Sequence, residues 1–162
     1  MIEIKKVGTS SIPAIQNLAN IIWPAAYNEI LLPQQLDYMM ELIYSKTSLQ
    51  KQIEKGDQFI IAYDDGQPVA FASYSAKKNN PQIYKLHKIY ILPNQQGKGI
   101  GKILISYITA DIRPAATLQL NVNRHNKALH FYTKLGFKII AEEDIDIGNA
   151  YFMNDSVMEL SV

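Results

Sequence analysis

The sequence predicts a fold of the α+β (mixed α/β) class, in which helices flank a central, mixed and mostly antiparallel sheet of about six or seven strands. Two patterns support this prediction. Asp65-Gly66 separates two β-rich runs, as in a tight hairpin, and a strand, a glycine-rich turn and an apolar helix follow one another over 81–111. The 162 residues, 48% of them hydrophobic, suffice for a sizeable core, and no linker-like segment divides them. We therefore expect a single domain over residues 1–162.

The N-terminal part predicts one strand and three helices. Thr9–Ser11 can cap a helix whose first turn accommodates Pro13, and Gly56 is a typical helix stop. In order, we predict a strand over 2–7, a helix to about residue 22, an aromatic connection over 23–33, a helix from there to about 43, and a helix over 48–55.

The remainder predicts six strands and two helices. The alternating and β-branched runs have strand composition, whereas the segments after Gly101 and Asn126 have helical spacing, the second ending at Gly136. In order, we predict strands over 58–63, 68–76 and 81–92, a helix to about 111, a strand over 117–123, a helix over 126–135, and strands over 137–145 and 151–162.

Composition narrows the class of protein. The net charge is +1, so no overall charge favours nucleic acid or an anionic membrane as a partner. Cysteine is absent, and His87, His125 and His130 lack the spacing of metal ligands, so we expect no metal site. No segment has the length and hydrophobicity of a membrane span or signal core, and we expect a cytoplasmic protein with no membrane partner.

The segment LPNQQGKGIGKIL, residues 92–104, contains glycines at alternate positions, Gly97, Gly99 and Gly101. A glycine-rich turn before a helix is a common phosphate site, because free N–H groups and the helix dipole favour an anion there. The P-loop signature fails because Lys102 is followed by Ile103, and a dinucleotide fingerprint would require glycine in place of Lys102. A helix start of purely structural origin and the pattern Gln-x-x-Gly-x-Gly from Gln96 remain.

That pattern resembles the coenzyme A pyrophosphate loop of the GNAT superfamily of N-acetyltransferases. Two flanking segments also resemble the family: KIYILP, residues 88–93, looks like its fourth strand, and NVNRHNKALHFYTKLGF, residues 121–137, looks like its later helix. The resemblance covers residues 58–160. It implies a GNAT fold with splayed fourth and fifth strands, and acetyl-CoA as the co-substrate.

The resemblance also implies which residues bind acetyl-CoA. Main-chain groups of the fourth strand would pair with the pantetheine arm, and a backbone N–H, that of Ile91, would stabilise the oxyanion. The loop would hold the pyrophosphate, with the glycines allowing close backbone approach. The implied coenzyme-binding residues are Ile89, Tyr90, Ile91, Gln96, Gly97, Lys98, Gly99, Ile100, Gly101, Lys102 and Asn126.

Two catalytic residues follow from the same comparison. Tyr132 matches the family tyrosine that hydrogen-bonds or protonates the leaving sulfur, although a helical tyrosine next to Phe131 also fits simple packing. An alkyl ammonium must lose a proton before it attacks, and His87, with an ordinary pKa of ~6.5, is the candidate base or proton relay. A structural strand histidine is the competing interpretation, and Lys85 occupies another position that the family uses for a base.

The acceptor pocket is expected at the N-terminal helices. Aromatic and acidic side chains there would attract a cationic amine, although helical spacing also explains most of them as core. The predicted substrate-binding residues are Trp23, Tyr27, Glu29 and Tyr38. The resemblance favours a small amine or polyamine as the acceptor, on analogy.

The predicted function is transfer of an acetyl group from acetyl-CoA to a primary amine by direct attack, because no nucleophile motif suggests a covalent intermediate. Two alternatives stay open: acetylation of a protein N-terminus or lysine, and a non-catalytic acyl-CoA-binding module. The C-terminal strands offer a pairable edge, so a homodimer is a further expectation.

Overall fold

The computed structural model describes residues 1–162 and contains seven strands in one sheet. The element order is the predicted one. The strands are β1 (Ile2–Val7), β2 (Gln58–Asp64), β3 (Gln67–Lys77), β4 (Asn80–Ile91), β5 (Thr117–Asn123), β6 (Lys138–Gly148) and β7 (Tyr151–Ser161). The helices are α1 (Ile12–Tyr27), α2 (Pro33–Tyr44), α3 (Lys46–Glu54), α4 (Ile100–Asp111) and α5 (Ala128–Lys134).

The sheet has the order β1-β2-β3-β4-β5-β7-β6 and is antiparallel except at its centre. There β4 and β5 run parallel but pair only over Ile83–Leu86 and Thr117–Leu120. Beyond these residues β4 continues to Ile91 and β5 to Asn123 with no hydrogen bonds between them. The predicted splay of the fourth and fifth strands is therefore confirmed, and it opens a V-shaped gap in the sheet.

Apolar residues on the two faces of the sheet form two cores. Strand β2 shows the alternation: Ile60 and Ala62 face α4, whereas Phe59 and Ile61 face α1 and α3. Successive side chains of a strand point to opposite faces, so a strand buried on both sides is apolar throughout. None of the five α-helices combines the length and apolar character needed to cross a bilayer.

The first helix is longer than predicted. The segment 23–33 was expected to be an aromatic connection, but α1 continues through Pro24 to Tyr27. Trp23 and Tyr27 lie four residues apart on the face of α1 that packs against the sheet, and both are buried. Burial of two large aromatic side chains outweighs the local cost of a proline that lies exposed on the outer face.

The third helix also begins earlier than predicted, at Lys46 instead of residue 48. Ser45 caps it, because the Ser45 side-chain oxygen accepts a hydrogen bond from the Ser48 N–H at 3.2 Å. This is the usual role of serine at a helix N-terminus. The cap fixes the helix that carries Gln52 towards the centre of β4.

Candidate active site

Two cavities meet at the gap between β4 and β5. The larger, of about 850 Å³, is lined by the ends of β4 and β5 and the N-terminal parts of α4 and α5. The smaller, of about 500 Å³, lies among α1, α2, α3, β4 and β7. Because the gap passes through the sheet, both cavities share one wall, formed by Tyr27, Leu86, His87, Lys88, Tyr90 and Asn121.

The glycine segment presents unpaired amides to the larger cavity. Gly97 and Gly99 both have φ of +81°, which favours glycine, and Gly99 directly precedes α4. The first backbone hydrogen bond of this helix runs from the Ile103 N–H to the Gly99 carbonyl, at 3.1 Å. None of the amides of residues 97–102 donates a hydrogen bond within the protein. This run of free N–H groups at a helix N-terminus fits a pyrophosphate.

Gly101 is a glycine for a different reason. It is buried inside α4, and a Cβ atom at this position would lie 2.7 Å from Phe131 Cζ and 3.2 Å from Ile91 Cδ1. Gly101 lines the cavity, but the lack of a side chain is required by the packing of α4 on α5. Backbone conformation therefore favours glycine at positions 97 and 99, whereas helix packing, and not the predicted close approach of a ligand, requires glycine at position 101.

The other predicted loop residues differ in position. Ile100 is buried in the core and still lines the cavity. The Gln96 Nε2 donates to the Ile91 carbonyl at 3.4 Å, which connects the loop to the end of β4. Lys98 and Lys102 are exposed and stand outside the cavity wall, and the Lys98 Nζ donates to Gln95 Oε1 at 3.2 Å. Their contribution is positive charge near the free amides.

The backbone N–H and C=O groups of Ile89 and Ile91 form the edge of β4 that is not paired with another strand. The Leu92 N–H donates to the Val69 carbonyl of β3 at 2.9 Å, and β3 and β4 pair in regular register from Ile91 back to Lys88. In an antiparallel pair, alternate residues direct their backbone groups to the same neighbour, so Tyr90 bonds β3 while Ile89 and Ile91 face the gap. The main chain of Tyr90 is thus unavailable for the predicted pairing with pantetheine.

Helix α5 places Asn126 and Tyr132 on the wall of the larger cavity. The Asn126 Oδ1 accepts a hydrogen bond from the Ala128 N–H at 2.9 Å and so caps the helix. Tyr132 is buried between Phe131 and Phe137, with ring centroids 5.3 and 5.7 Å away. Burial raises the pKa of the Tyr132 phenol well above its ordinary value, so the hydroxyl keeps its proton and acts as a hydrogen-bond donor.

His87 is the extra residue of a β-bulge, since Ser73 of β3 lies opposite Lys88 and Tyr74 lies opposite Leu86. The His87 Nε2 lies 2.7 Å from Ser75 Oγ and 3.5 Å from Asp57 Oδ1. Burial lowers the pKa of His87 to about 4, although Asp57 opposes the shift. The imidazole is neutral near pH 7, but it is a weaker base than a histidine with the ordinary pKa of ~6.5.

Trp23 and Tyr27 belong to an aromatic cluster on the wall of the smaller cavity. The Trp23 Nε1 donates to the Tyr44 hydroxyl at 2.8 Å, and the hydroxyls of Tyr27 and Tyr90 lie 3.0 Å apart. Burial raises the pKa values of Tyr27, Tyr44 and Tyr90. The cluster is a rigid, uncharged wall and also part of the second core.

Two predicted acceptor residues stand elsewhere. Glu29 is exposed and lines the larger cavity, not the smaller one. Tyr38 lines neither cavity: its hydroxyl donates to the Ile147 carbonyl at 2.8 Å, and its ring packs against Tyr151 with centroids 5.5 Å apart. Tyr38 therefore attaches α2 to the β6–β7 hairpin.

A family model described as an acetyltransferase (GNAT) domain matches residues 31–152, about three quarters of the chain. The chain belongs to the GNAT acetyltransferase family. This assignment confirms the predicted family and enzyme class, an acetyl-CoA-dependent N-acetyltransferase with acetyl-CoA as co-substrate. The free amides at α4 and the open edge of β4 are the features of this GNAT domain that fit the co-substrate.

Individual relatives differ in the acceptors that their names state. The spermidine N(1)-acetyltransferase of Thermoplasma acidophilum is 26% identical over 160 residues, covering 94% of this chain and 95% of that protein. The peptidyl-lysine N-acetyltransferase YjaB of Salmonella typhimurium is 30% identical over 95 residues, which span 57% of this chain and 59% of that protein. The crystal structure of PaiA N-acetyltransferase from Thermoplasma acidophilum with coenzyme A has a TM-score of 0.84 at 24% identity, covers 100% and 99% of the two chains and supports the GNAT fold.

Sequence reasoning missed several polar residues of this GNAT site. They share the smaller cavity and come from α3, the α3–β2 turn, β4, β5, β6 and β7: Gln52, Asp57, Lys88, Asn121, Glu143 and Asp155. For Lys88 a signal existed, because it stands two residues before Tyr90 and strand alternation puts both on one face. For Asp155, opposite Glu143 in the β6–β7 pairing, no local spacing predicts the contact.

Proposed function

We propose that this protein transfers the acetyl group of acetyl-CoA to the primary amine of a small molecule, by direct attack of the amine on the thioester. The observation that carries the proposal is the junction of two cavities at the β4–β5 gap. One side offers the free amides of residues 97–102, and the other is a separate pocket that shares its wall with the first. This arrangement suits two substrates that meet at one point.

On the co-substrate side, the proposed contacts are mostly main-chain. The amides of residues 97–102 would bind the pyrophosphate, aided by the helix dipole and the charges of Lys98 and Lys102. Ile89 and Ile91 would pair with the amides of the pantetheine arm, and Asn126 would contact the same arm from α5. The Ile91 N–H, which faces the gap, is the donor proposed for the oxyanion.

Tyr132 and His87 have unequal roles in the proposed chemistry. The raised pKa of Tyr132 favours hydrogen bonding to the developing thiolate over full proton transfer to it. An alkylamine with a pKa of ~10.4 is neutral in only about 1 molecule in 2,500 at pH 7, so a proton must leave before attack. With its pKa lowered to about 4, His87 fits a relay to water better than a sole base.

The class of acceptor is the most specific part of the proposal, and the named relatives support different classes. The relative named for spermidine, which is similar over almost its whole length, supports a small amine or polyamine as the acceptor. Trp23 and Tyr27 of this protein would form one wall of the acceptor pocket. The relative named for peptidyl-lysine supports a protein lysine or N-terminus instead, but over a shorter match. Loss of catalysis, leaving an acyl-CoA-binding module, is the third possibility.

Initial-rate measurement of thiol release from acetyl-CoA tests the proposal against polyamines, amino acids, simple amines and peptides. We expect turnover with at least one small primary amine. If Tyr132→Phe and Gly99→Glu leave every rate unchanged, the site assignment is wrong. Acetyl-CoA binding without thiol release for any acceptor supports the binding module, and turnover with peptides alone supports protein acetylation.

The predicted homodimer stays a prediction. Strand β6 lies at the edge of the sheet, and Ile139 and Ile140 on it are about half exposed. An exposed, partly apolar edge strand is a common place for pairing between subunits. Sedimentation velocity with and without acetyl-CoA measures the oligomeric state directly, and a single monomeric species under both conditions contradicts the prediction.

A further inference from the structure

Lys88 is a buried ammonium group with no carboxylate within 4 Å. It stands on the shared wall of the two cavities, and only 9% of its surface is exposed. The Lys88 Nζ donates one hydrogen bond, to Gln52 Oε1 at 2.5 Å, and lies over the rings of Tyr44 and Phe59 at 5.9 and 5.5 Å from their centroids. The other two N–H groups of Lys88 have no hydrogen-bond acceptor in the protein.

The side-chain amide of Gln52 is oriented so that its oxygen accepts the hydrogen bond from Lys88. The Gln52 Nε2 donates to the Ile43 carbonyl at 2.8 Å and to Ser48 Oγ at 3.0 Å, which fixes the orientation of the amide. The Asp57 carboxylate acts on Lys88 only from beyond 4 Å, so this buried ammonium group lacks the directly bonded counter-charge that buried lysines normally have. An anion in the cavity would supply it.

The charges of the smaller cavity are separated into two ends. At the α3–β2 end two lysines, Lys55 and Lys88, stand with one carboxylate, Asp57, while His87 is neutral. The net charge of this end is +1. At the β5–β7 end one lysine, Lys85, stands with two carboxylates.

The carboxylates of the second end, Glu143 and Asp155, lie directly opposite each other on β6 and β7. Like charges at such a position are unfavourable without a cation. Lys85 bonds Asn121 Oδ1, not a carboxylate, and Asn121 Nδ2 donates to Asp155 Oδ2 at 3.3 Å. With Lys85 counted, the residues that line this end carry a net charge of −1; Arg124 lies nearby, but it pairs with Glu142 and Asp144. The cavity therefore fits a molecule with an ammonium at one end and an anion at the other.

We propose that the acceptor is an amine that also carries a carboxylate, and that Lys88 binds the carboxylate. The inference rests on the proposed acetyl transfer and specifies its acceptor. Lys88 belongs to the positive end and Asn121 to the negative end, and both line the wall that the two cavities share. The amine would therefore lie near Asn121 and the carboxylate near Lys88. A polyamine would instead place a second ammonium beside Lys88, which costs charge repulsion.

The pH dependence of selectivity gives a readout specific to Lys88. Burial lowers the pKa of Lys88 to about 8; Asp57 opposes the shift and Lys55 adds to it. The other titratable groups that face it, His87 and Tyr44, are uncharged at pH 7 to 9. Only the charged ammonium binds a carboxylate, so the preference for carboxylate-bearing acceptors should decline as the pH rises through about 8.

The test uses acceptors matched in length, namely ω-amino acids from glycine to ε-aminocaproate, each compared with the alkylamine and the diamine of the same chain length. For the wild type at pH 7 we expect kcat/KM for the best amino acid to exceed that of its alkylamine by about 10- to 100-fold, the range for a hydrogen-bonded charge pair. Lys88→Met should abolish this ratio and its pH dependence. Lys88→Arg should keep the ratio above pH 8, and Lys51→Met, an exposed lysine outside both cavities, should match the wild type.

Calorimetry of the same amino acids with the coenzyme A complex separates the inference from the proposed function. Binding that requires Lys88, without turnover, supports the inference and refutes acetyl transfer. Turnover of alkylamines or diamines with equal or greater kcat/KM than the amino acids supports acetyl transfer and overturns the inference. An unchanged ratio in Lys88→Met, or no binding by any amino acid, also overturns it.

Discussion

Replacement of Gly99 by alanine, with Gly66→Ala as its control, separates the backbone role of the glycine loop from its role in binding. Gly99 has φ of +81° and Gly66, in the β2–β3 turn, has φ of +82°. A Cβ atom at either position would have no other atom within 4 Å, so neither substitution creates a clash. Each places alanine in the left-handed region, which costs about 1–2 kcal/mol. For a chain of this size that corresponds to a fall in Tm of roughly 2–8 °C.

The two variants should differ in acetyl-CoA binding. Gly99 aligns the free amides at the start of α4, whereas Gly66 lies outside both cavities. If the chain relieves the strain at position 99 by rotating about φ, the amides of residues 97–102 lose their common orientation. A loss of one hydrogen bond to a charged group, worth about 1.5–3 kcal/mol, corresponds to an increase in Kd of about 10- to 100-fold.

Differential scanning calorimetry gives the stability of both variants, and titration calorimetry gives their affinity for acetyl-CoA. We expect similar falls in Tm and a weaker Kd for Gly99→Ala alone. Equal Kd values for Gly99→Ala, Gly66→Ala and the wild type would refute the assignment of the loop amides to the pyrophosphate. A weakened Kd in Gly66→Ala would show that loss of stability, not loop geometry, controls binding.

Three further predictions concern catalysis, packing and pH. Tyr132→Phe keeps the ring between its aromatic neighbours, so Tm and the KM for acetyl-CoA should be unchanged while kcat falls about 100- to 1,000-fold in the thiol-release assay, the range for loss of one preorganised hydrogen-bond donor. Gly101→Ala places a Cβ 2.7 Å from Phe131 Cζ and should cost about 1–3 kcal/mol in denaturant unfolding; an unchanged free energy of unfolding would contradict the packing explanation for this glycine. Burial raises the pKa of Asp111, but hydrogen bonds from Lys6 and Tyr74 outweigh this effect and lower the pKa below its ordinary value. Asp111→Asn should therefore lose about 0.5–1 kcal/mol at pH 7, and this difference should disappear as the pH falls below about 4; a pH-independent difference would contradict the charge argument.

The fold was predictable from the sequence where local signals and packing agree. The Asp65-Gly66 turn, the apolar strands and the Gly99 helix start each combine turn chemistry with a hydrophobic period, and all three elements are confirmed. The end of α1 was predicted wrongly, because the apolar helical spacing was followed only to Ile22, just before Pro24, a local stop signal. Burial of Trp23 and Tyr27 overrides it through contacts with β3 and β4 that are distant in the sequence.

The co-substrate half of the site was more predictable from the sequence than the acceptor half. The co-substrate half is a contiguous segment with a motif, so its free amides and the gap beside β4 were predictable. The polar residues of the acceptor half come singly from five elements and the α3–β2 turn, and the charge separation depends on strand pairings such as Glu143 with Asp155. The bulge at His87 decides which β4 side chains enter the cavity, and no local pattern in the sequence reports a bulge.

A crystal structure of the protein with coenzyme A tests the central claim most directly. We predict pyrophosphate oxygens within hydrogen-bonding distance of the amides of residues 97–102, and the pantetheine arm paired with the main chain of Ile89 and Ile91 in the β4–β5 gap. The sulfur should lie near the Tyr132 hydroxyl, at the wall shared with the smaller cavity. A coenzyme bound elsewhere, or bound with these amides in contact with solvent alone, would contradict the account.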